Sequence, residues 1–173
     1  MKTEHAVVTH RSDYQPLAWT VETVDLHIRL DPHATRVTSR MRCVRNAAVA
    51  DGPLRLYGEA LQRLALRVNG ADVAAADLRE SEGVLDVTLP VGAEQVEVEV
   101  VTEIDPAANT TLSGLYVSNG GFFTQCEAEG FRRITWFPDR PDAMARSPVT
   151  LDAPRAPCPV LLPNGTPAHA GEL

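Results

Sequence analysis

Between positions 124 and 142 the sequence runs Thr-Gln-Cys-Glu-Ala-Glu-Gly-Phe-Arg-Arg-Ile-Thr-Trp-Phe-Pro-Asp-Arg-Pro-Asp, the stretch in which residue types and spacing could do chemistry. It gathers Glu127, Glu129 and Asp139 besides Asp142, three arginines and two prolines. Gln125 and Glu127 are two apart, so in an extended segment both side chains leave one face while Cys126 points to the other. An amide oxygen beside a carboxylate offers two acceptors aimed one way, which suits a small cation carrying several N–H donors, such as an α-ammonium group. A second reading pairs Glu127 or Glu129 with Arg132, Arg133 or Arg140 as structural ion pairs, and spacing leaves both open.

Other candidate chemistry is thin. Zinc hydrolysis needs three protein ligands and one open position, usually two His one helical turn apart with a distant carboxylate. The five histidines, at 5, 10, 27, 33 and 169, form no His-Glu-x-x-His, and no Gly-x-Ser-x-Gly, phosphate loop or dinucleotide fingerprint is present. Cys43, Cys126 and Cys158 lack Cys-x-x-Cys spacing and read as free thiols of a reducing compartment. Glu97 and Glu99 sit on an open strand face, where paired carboxylates have no shelter for acid–base work. Arg36, Arg40 and Arg42 form a basic face better explained by cross-strand acids than by a polyanion. A net charge of -7 and a pI near 5.2 argue against nucleic acid as a partner. The first twenty residues hold no apolar run, so no signal or membrane anchor is expected and a cytoplasmic location is.

The elements that must position the 124–142 stretch are strands. Val24, Leu26, Ile28 and Leu30 alternate with polar residues, with His27 on the wet side. Asp31-Pro32-His33-Ala34 is a turn, and Val37, Met41 and Cys43 alternate on the way back. Further strands are expected at 54–57, at 63–68 with Leu64, Leu66 and Val68 inward, at 84–89 and at 95–100. Asn69-Gly70 marks a tight hairpin turn. The stretch 71–78 reads as loop with an optional helical turn. Short strands at 115–117 and 122–125, joined through Asn119-Gly120-Gly121, carry the acidic and basic cluster. Pro141 is expected to start a brief helical turn through Arg146, and 149–151 and 159–162 to close the sheet at its edges. The prediction is an all-β fold, a β-sandwich or open, saddle-like sheet, with an arm over 1–16 and one β domain over 17–173.

The residues Gln125-Cys126-Glu127-Ala128-Glu129-Gly130-Phe131-Arg132 and Trp136-Phe137-Pro138-Asp139-Arg140-Pro141-Asp142, with the blocks at 106–116 and 53–59, together resemble the bacterial aminopeptidase N family of zinc exopeptidases. The resemblance implies the family's first, all-β domain, with Gln125 and Glu127 reaching into an active site where the Glu holds the free amino terminus of a peptide substrate. It also implies that zinc belongs to the full-length parent and is bound by a catalytic domain of the same polypeptide, none being bound by this chain. Hydrolysis of the first peptide bond by a zinc-polarised water would follow, with Glu127 fixing the register. The family's Gly-Ala-Met-Glu-Asn segment is missing here, so this chain alone is not expected to catalyse. The surface carrying Gln125 and Glu127 is expected to be partly apolar and poorly covered, with self-association through Phe131 and Trp136 as its sign. The alternative is a stand-alone, non-catalytic β-sandwich binding or interaction module. A reading frame continuing past Leu173 into His-Glu-x-x-His would favour the enzyme domain.

Overall fold

The computed structural model describes residues 10–171. Alternation of β-branched and polar residues writes two long antiparallel strands, β1 (Trp19–Arg29) and β2 (Thr35–Arg45), joined by the expected turn. There the Asp31 carboxylate accepts from the His33 and Ala34 N–H groups at 2.8 and 3.0 Å, and the Thr35 hydroxyl donates to the Asp31 carbonyl at 2.6 Å. The chain continues through β3 (Leu54–Tyr57), β4 (Gln62–Val68), β5 (Ala71–Asp72), β6 (Leu78–Ser81), β7 (Val84–Val87), β8 (Gln95–Ile104), β9 (Gly114–Ser118), β10 (Gly121–Gln125) and β11 (Val149–Asp152). They form a six-stranded sheet ordered β11-β1-β2-β8-β4-β5, a three-stranded sheet β3-β7-β6, and the β9–β10 hairpin. The fold is all-β, as expected. Of the stretch read as loop, 71–78, the first two residues instead pair with β4 as β5, and Ala75–Asp77 makes one 3-10 turn.

One face of the large sheet is dry. Val21, Val24, Leu26, Val37, Met41, Cys43, Val96, Val98 and Val100 are buried there, joined in one core by Leu54, Leu56, Leu85 and Val87 of the small sheet. Burial pushes the Cys43 thiol up to about 12, so it stays protonated and packs as a small hydrophobe. The opposite face is a charge ladder. Arg40 meets Glu99 at 2.8 Å, Arg67 meets Glu99 at 2.6 Å and Asp72 at 3.0 Å, and Arg36 meets Glu103 at 3.2 Å. Arg42 meets Glu22 at 3.2 Å, so each of the three arginines of the basic face has a cross-strand acid.

The hydrogen bond from Arg67, then that from Arg40, holds the Glu99 carboxyl below its usual 4.5, and the Arg55 guanidinium holds Asp86 below 3.8. Groups depressed on folding stabilise above their unfolded values and lose that contribution as pH falls through the folded ones. Thermal stability should thus be level above about pH 5 and decline below about pH 4, and Asp86→Asn should make the acid limb shallower. Melting temperatures of both proteins between those limits check this, and an unchanged slope in the variant would contradict it.

Three local expectations are corrected. A bulge between Arg63 and Ala65 turns Leu64 outward, where it is exposed, so the alternation read across Leu64 and Leu66 slips by one residue. Pro141 opens one turn closed by Ala143 N–H donating to the Arg140 carbonyl at 3.0 Å, after which the chain extends and Arg146 bridges to Thr23. No helix forms because β1 captures that backbone. At the carboxyl end, β11 does close the sheet, parallel to β1, but 159–162 is no strand: Pro159 cannot donate, no neighbour pairs with it, and Val160 and Leu162 stay exposed.

Candidate functional site

The β9–β10 hairpin carries the site. Asn119 and Gly120 turn it with φ of +48° and +76°, the geometry the Asn-Gly pair favours. The Asn109 amide fixes the approach to β9 by donating to the Ser113 and Leu115 carbonyls at 2.8 and 2.9 Å. β10 ends at Gln125, and the chain immediately reverses: Gly130 N–H donates to the Cys126 carbonyl at 2.9 Å, closing a turn over 126–130 in which the Glu127–Ala128 peptide is cis. The two candidate residues are therefore not on one strand face. They are brought together by the turn, with the Gln125 amide nitrogen donating to the Glu127 carbonyl at 2.8 Å.

A tightly stitched segment follows. A 3-10 turn, Phe131–Arg133, leads into buried Ile134, Trp136 and Phe137. Tyr57 and Phe137 exchange backbone hydrogen bonds at 2.8 and 3.1 Å, Glu59 N–H donates to the Arg132 carbonyl at 2.9 Å, and the Thr102 hydroxyl donates to the Ile134 carbonyl at 3.0 Å. Phe131 meets Phe137 edge to face, centroids 5.0 Å apart. Trp136 lies over Gly58, where any Cβ would stand 2.5 Å from the ring, and is only 5% exposed. The expected contact through Phe131 and Trp136 is thus corrected: Trp136 is buried and Phe131 packs against the core, while Phe123 and Leu112 beside the site are exposed.

Charge pairing separates the two readings of the acids. Arg132 Nε donates to Asp139 Oδ2 at 3.1 Å, its Nη2 donates to the Asp139 carbonyl at 2.8 Å and reaches Glu129 Oε1 at 3.2 Å, and its Cζ sits 4.8 Å from the Tyr57 ring centroid. Arg133 pairs with Glu59, and Arg140 pairs with Asp142 at 2.8 Å. The structural ion pairs exist, and they use Glu129, Asp139, Glu59 and Asp142. Glu127 is exposed, and among the described residues no hydrogen bond or ion pair reaches its carboxylate. Burial, then the Asp139 charge, raises the Cys126 thiol, so the thiol beside Glu127 is not an activated nucleophile. Among the described residues no group of three or more His, Cys, Asp or Glu could hold a metal ion. His27 lies on the strand face as expected, 3.4 Å from Asp152.

Reasoning from spacing missed the Arg132–Asp139 lock. Partners seven positions apart, joined across a 3-10 turn and a proline, follow no helical or strand period; the only signal was the density of opposite charges.

Comparison with known proteins places the chain in a class. Aminopeptidase N of Caulobacter vibrioides is 39% identical over 173 residues, all of this chain and 20% of that protein. Aminopeptidase N of Escherichia coli is 40% identical over 172 residues, 99% of this chain and 19% of that protein. Among solved structures, Legionella pneumophila aminopeptidase A in complex with aspartic acid superposes with a TM-score of 0.84 at 31% identity, over 94% of this chain and 19% of that one. An M1 zinc metallopeptidase of Deinococcus radiodurans shares the fold, with a TM-score of 0.65 at 18% identity over 79% of this chain and 33% of its own. No protein-family model matches. The class is therefore the β fold of the zinc metallopeptidases. Within it, the chain belongs to the aminopeptidase N family and matches the amino-terminal domain, spanning about one fifth of the length of those relatives.

Proposed function

We infer that the chain is the amino-terminal domain of a cytoplasmic zinc metallo-aminopeptidase that releases amino-terminal residues from peptides, and that its Gln125-Cys126-Glu127 turn binds the substrate's α-ammonium. The observation that carries this is the Glu127 carboxylate, held on a braced turn and without a partner among the described residues, while Glu59, Glu129, Asp139 and Asp142 each have an arginine. An α-ammonium, with a pKa of about 8, is mostly charged at neutral pH and presents three N–H donors to such an acceptor. Acylating that nitrogen removes the charge and leaves a single donor. A site built this way admits peptides by their first residue, and exopeptidase selectivity follows from where the chain must begin.

The residues described here do not fit a zinc site, so no bond-breaking step is assigned to them. On this reading the metal and its ligands belong to the catalytic domain of the same polypeptide, which is also this domain's structural partner. The test compares the intact polypeptide with the 173-residue chain on an amino-acid anilide and its N-acetyl derivative. The intact protein should turn over only the free amine and the short chain neither. Turnover by the short chain, or equal turnover of the acetylated substrate, would contradict the proposal.

A further inference from the structure

Why Glu127 stays unpaired is itself a structural question, since Arg132 stands five positions away and Arg133 six. Both are held elsewhere. The Arg132 side chain is only 17% exposed and is held through Nε and Nη2: Asp139 Oδ2 accepts from its backbone N–H and from Nε, both at 3.1 Å, the Asp139 carbonyl and Glu129 both take Nη2, and the Tyr57 ring lies 4.8 Å from Cζ. Asp139 is itself largely enclosed and, among the described residues, makes no other ion pair. Glu129, which Arg132 reaches at 3.2 Å, lies in the same 126–130 turn as Glu127.

We propose that Asp139 is a positioning residue for the α-ammonium site: it holds Arg132 folded back on Tyr57, so that the Glu127 carboxylate remains uncompensated and free for a cationic substrate terminus. The inference rests on the reading of Glu127 given above and adds a mechanism of selectivity to it. A guanidinium has five donors and cannot shed its proton, so one released from the Asp139 carboxylate seeks another anion. Among the described residues, the carboxylate on this turn without a partner is that of Glu127. An arginine that reached it would occupy the ammonium's place and compete with every substrate alike.

Competition of that kind raises KM and spares kcat, because it removes binding shared by ground and transition states. In the intact polypeptide, Asp139→Asn keeps an oxygen for the Arg132 N–H but loses the charge, and KM for an amino-acid anilide should rise roughly tenfold with kcat within about threefold. Adding Arg132→Met, which keeps an apolar stem over Tyr57 without the cation, should bring KM back to within about threefold of the parent. A purely structural Asp139 predicts the reverse, a double variant weaker than the single. The proposal is overturned by an unchanged KM in Asp139→Asn or by failure of Arg132→Met to relieve it. Should Asp139→Asn not fold, Glu129→Gln replaces it: that side chain is 69% exposed, its loss frees the same guanidinium in part, and KM should rise about twofold only while Arg132 is present. Glu127→Gln separates the two levels. If it leaves KM unchanged, the ammonium site falls and the positioning role with it; if it raises KM while Arg132→Met relieves nothing, only the positioning role falls.

Discussion

Replacing Glu127 with alanine in the intact polypeptide is expected to lower kcat/KM for an unblocked peptide by tens- to thousands-fold, with a melting temperature shifted by less than about 2 °C. The two halves of that expectation come from different features of the turn. Losing one partner of a desolvated, hydrogen-bonded charge pair costs roughly 2–5 kcal/mol, because the other charge is left without its counterion. Stability should barely change, since the Glu127 carboxylate is exposed and makes no hydrogen bond or ion pair among the described residues. Gln125→Ala removes only a neutral acceptor and one hydrogen bond to the Glu127 carbonyl, so its cost should be nearer ~1 kcal/mol. Kinetics and melting measured on the same purified variants check both. An intact kcat/KM with a melting loss of several degrees would show Glu127 to be structural.

Gly130→Ala should damage stability and substrate binding together. The φ of -88° at Gly130 is open to alanine, so the obstacle is space. A Cβ there would stand 2.7 Å from the Cys126 Cα and 3.0 Å from the Ser113 hydroxyl, and closer still to the Gln125 carbonyl. Two of those neighbours are backbone, and they are the backbone of the substrate-binding turn itself. Relieving the clash means opening the turn at the Gly130 to Cys126 hydrogen bond, which moves Gln125 and Glu127 together. A loss of about 2–3 kcal/mol in stability is expected, with KM raised at least as much as in Gln125→Ala. Denaturant unfolding and steady-state kinetics on one preparation test it, and a variant as stable and active as the parent would refute the close approach.

Most of the scaffold was legible because period-two alternation is a local signal. Val24 to Leu30, Val96 to Val100 and the Asn69-Gly70 turn each announce themselves within a few residues, and each stands where expected. Leu64 was misjudged because a bulge, which costs one residue of register, leaves no mark in composition. Segment 159–162 has the composition of a strand, but pairing is a property of two segments and here none is available. The site divides the same way. Density of charge pointed to 124–142, and the family resemblance to Gln125 and Glu127. Which arginine would pair with which acid was invisible, since the Arg132–Asp139 lock depends on the path of the chain through a 3-10 turn and on Tyr57, brought from β3 far earlier in sequence. Glu127 is distinguished by what does not touch it, and no linear pattern encodes that.

The central claim is a coupling between two groups, the Glu127 carboxylate and a substrate's α-ammonium, so the most direct measurement is a cycle that removes each in turn. Calorimetric affinities of the intact polypeptide for an amino-acid amide and for its des-amino analogue, taken in the parent and in Glu127→Ala, supply the four values. The account predicts that deleting the amino group costs the parent at least about tenfold in Kd and costs Glu127→Ala almost nothing, the two losses being one interaction counted from either side. An equal loss in both proteins would mean that the ammonium is held by something other than Glu127.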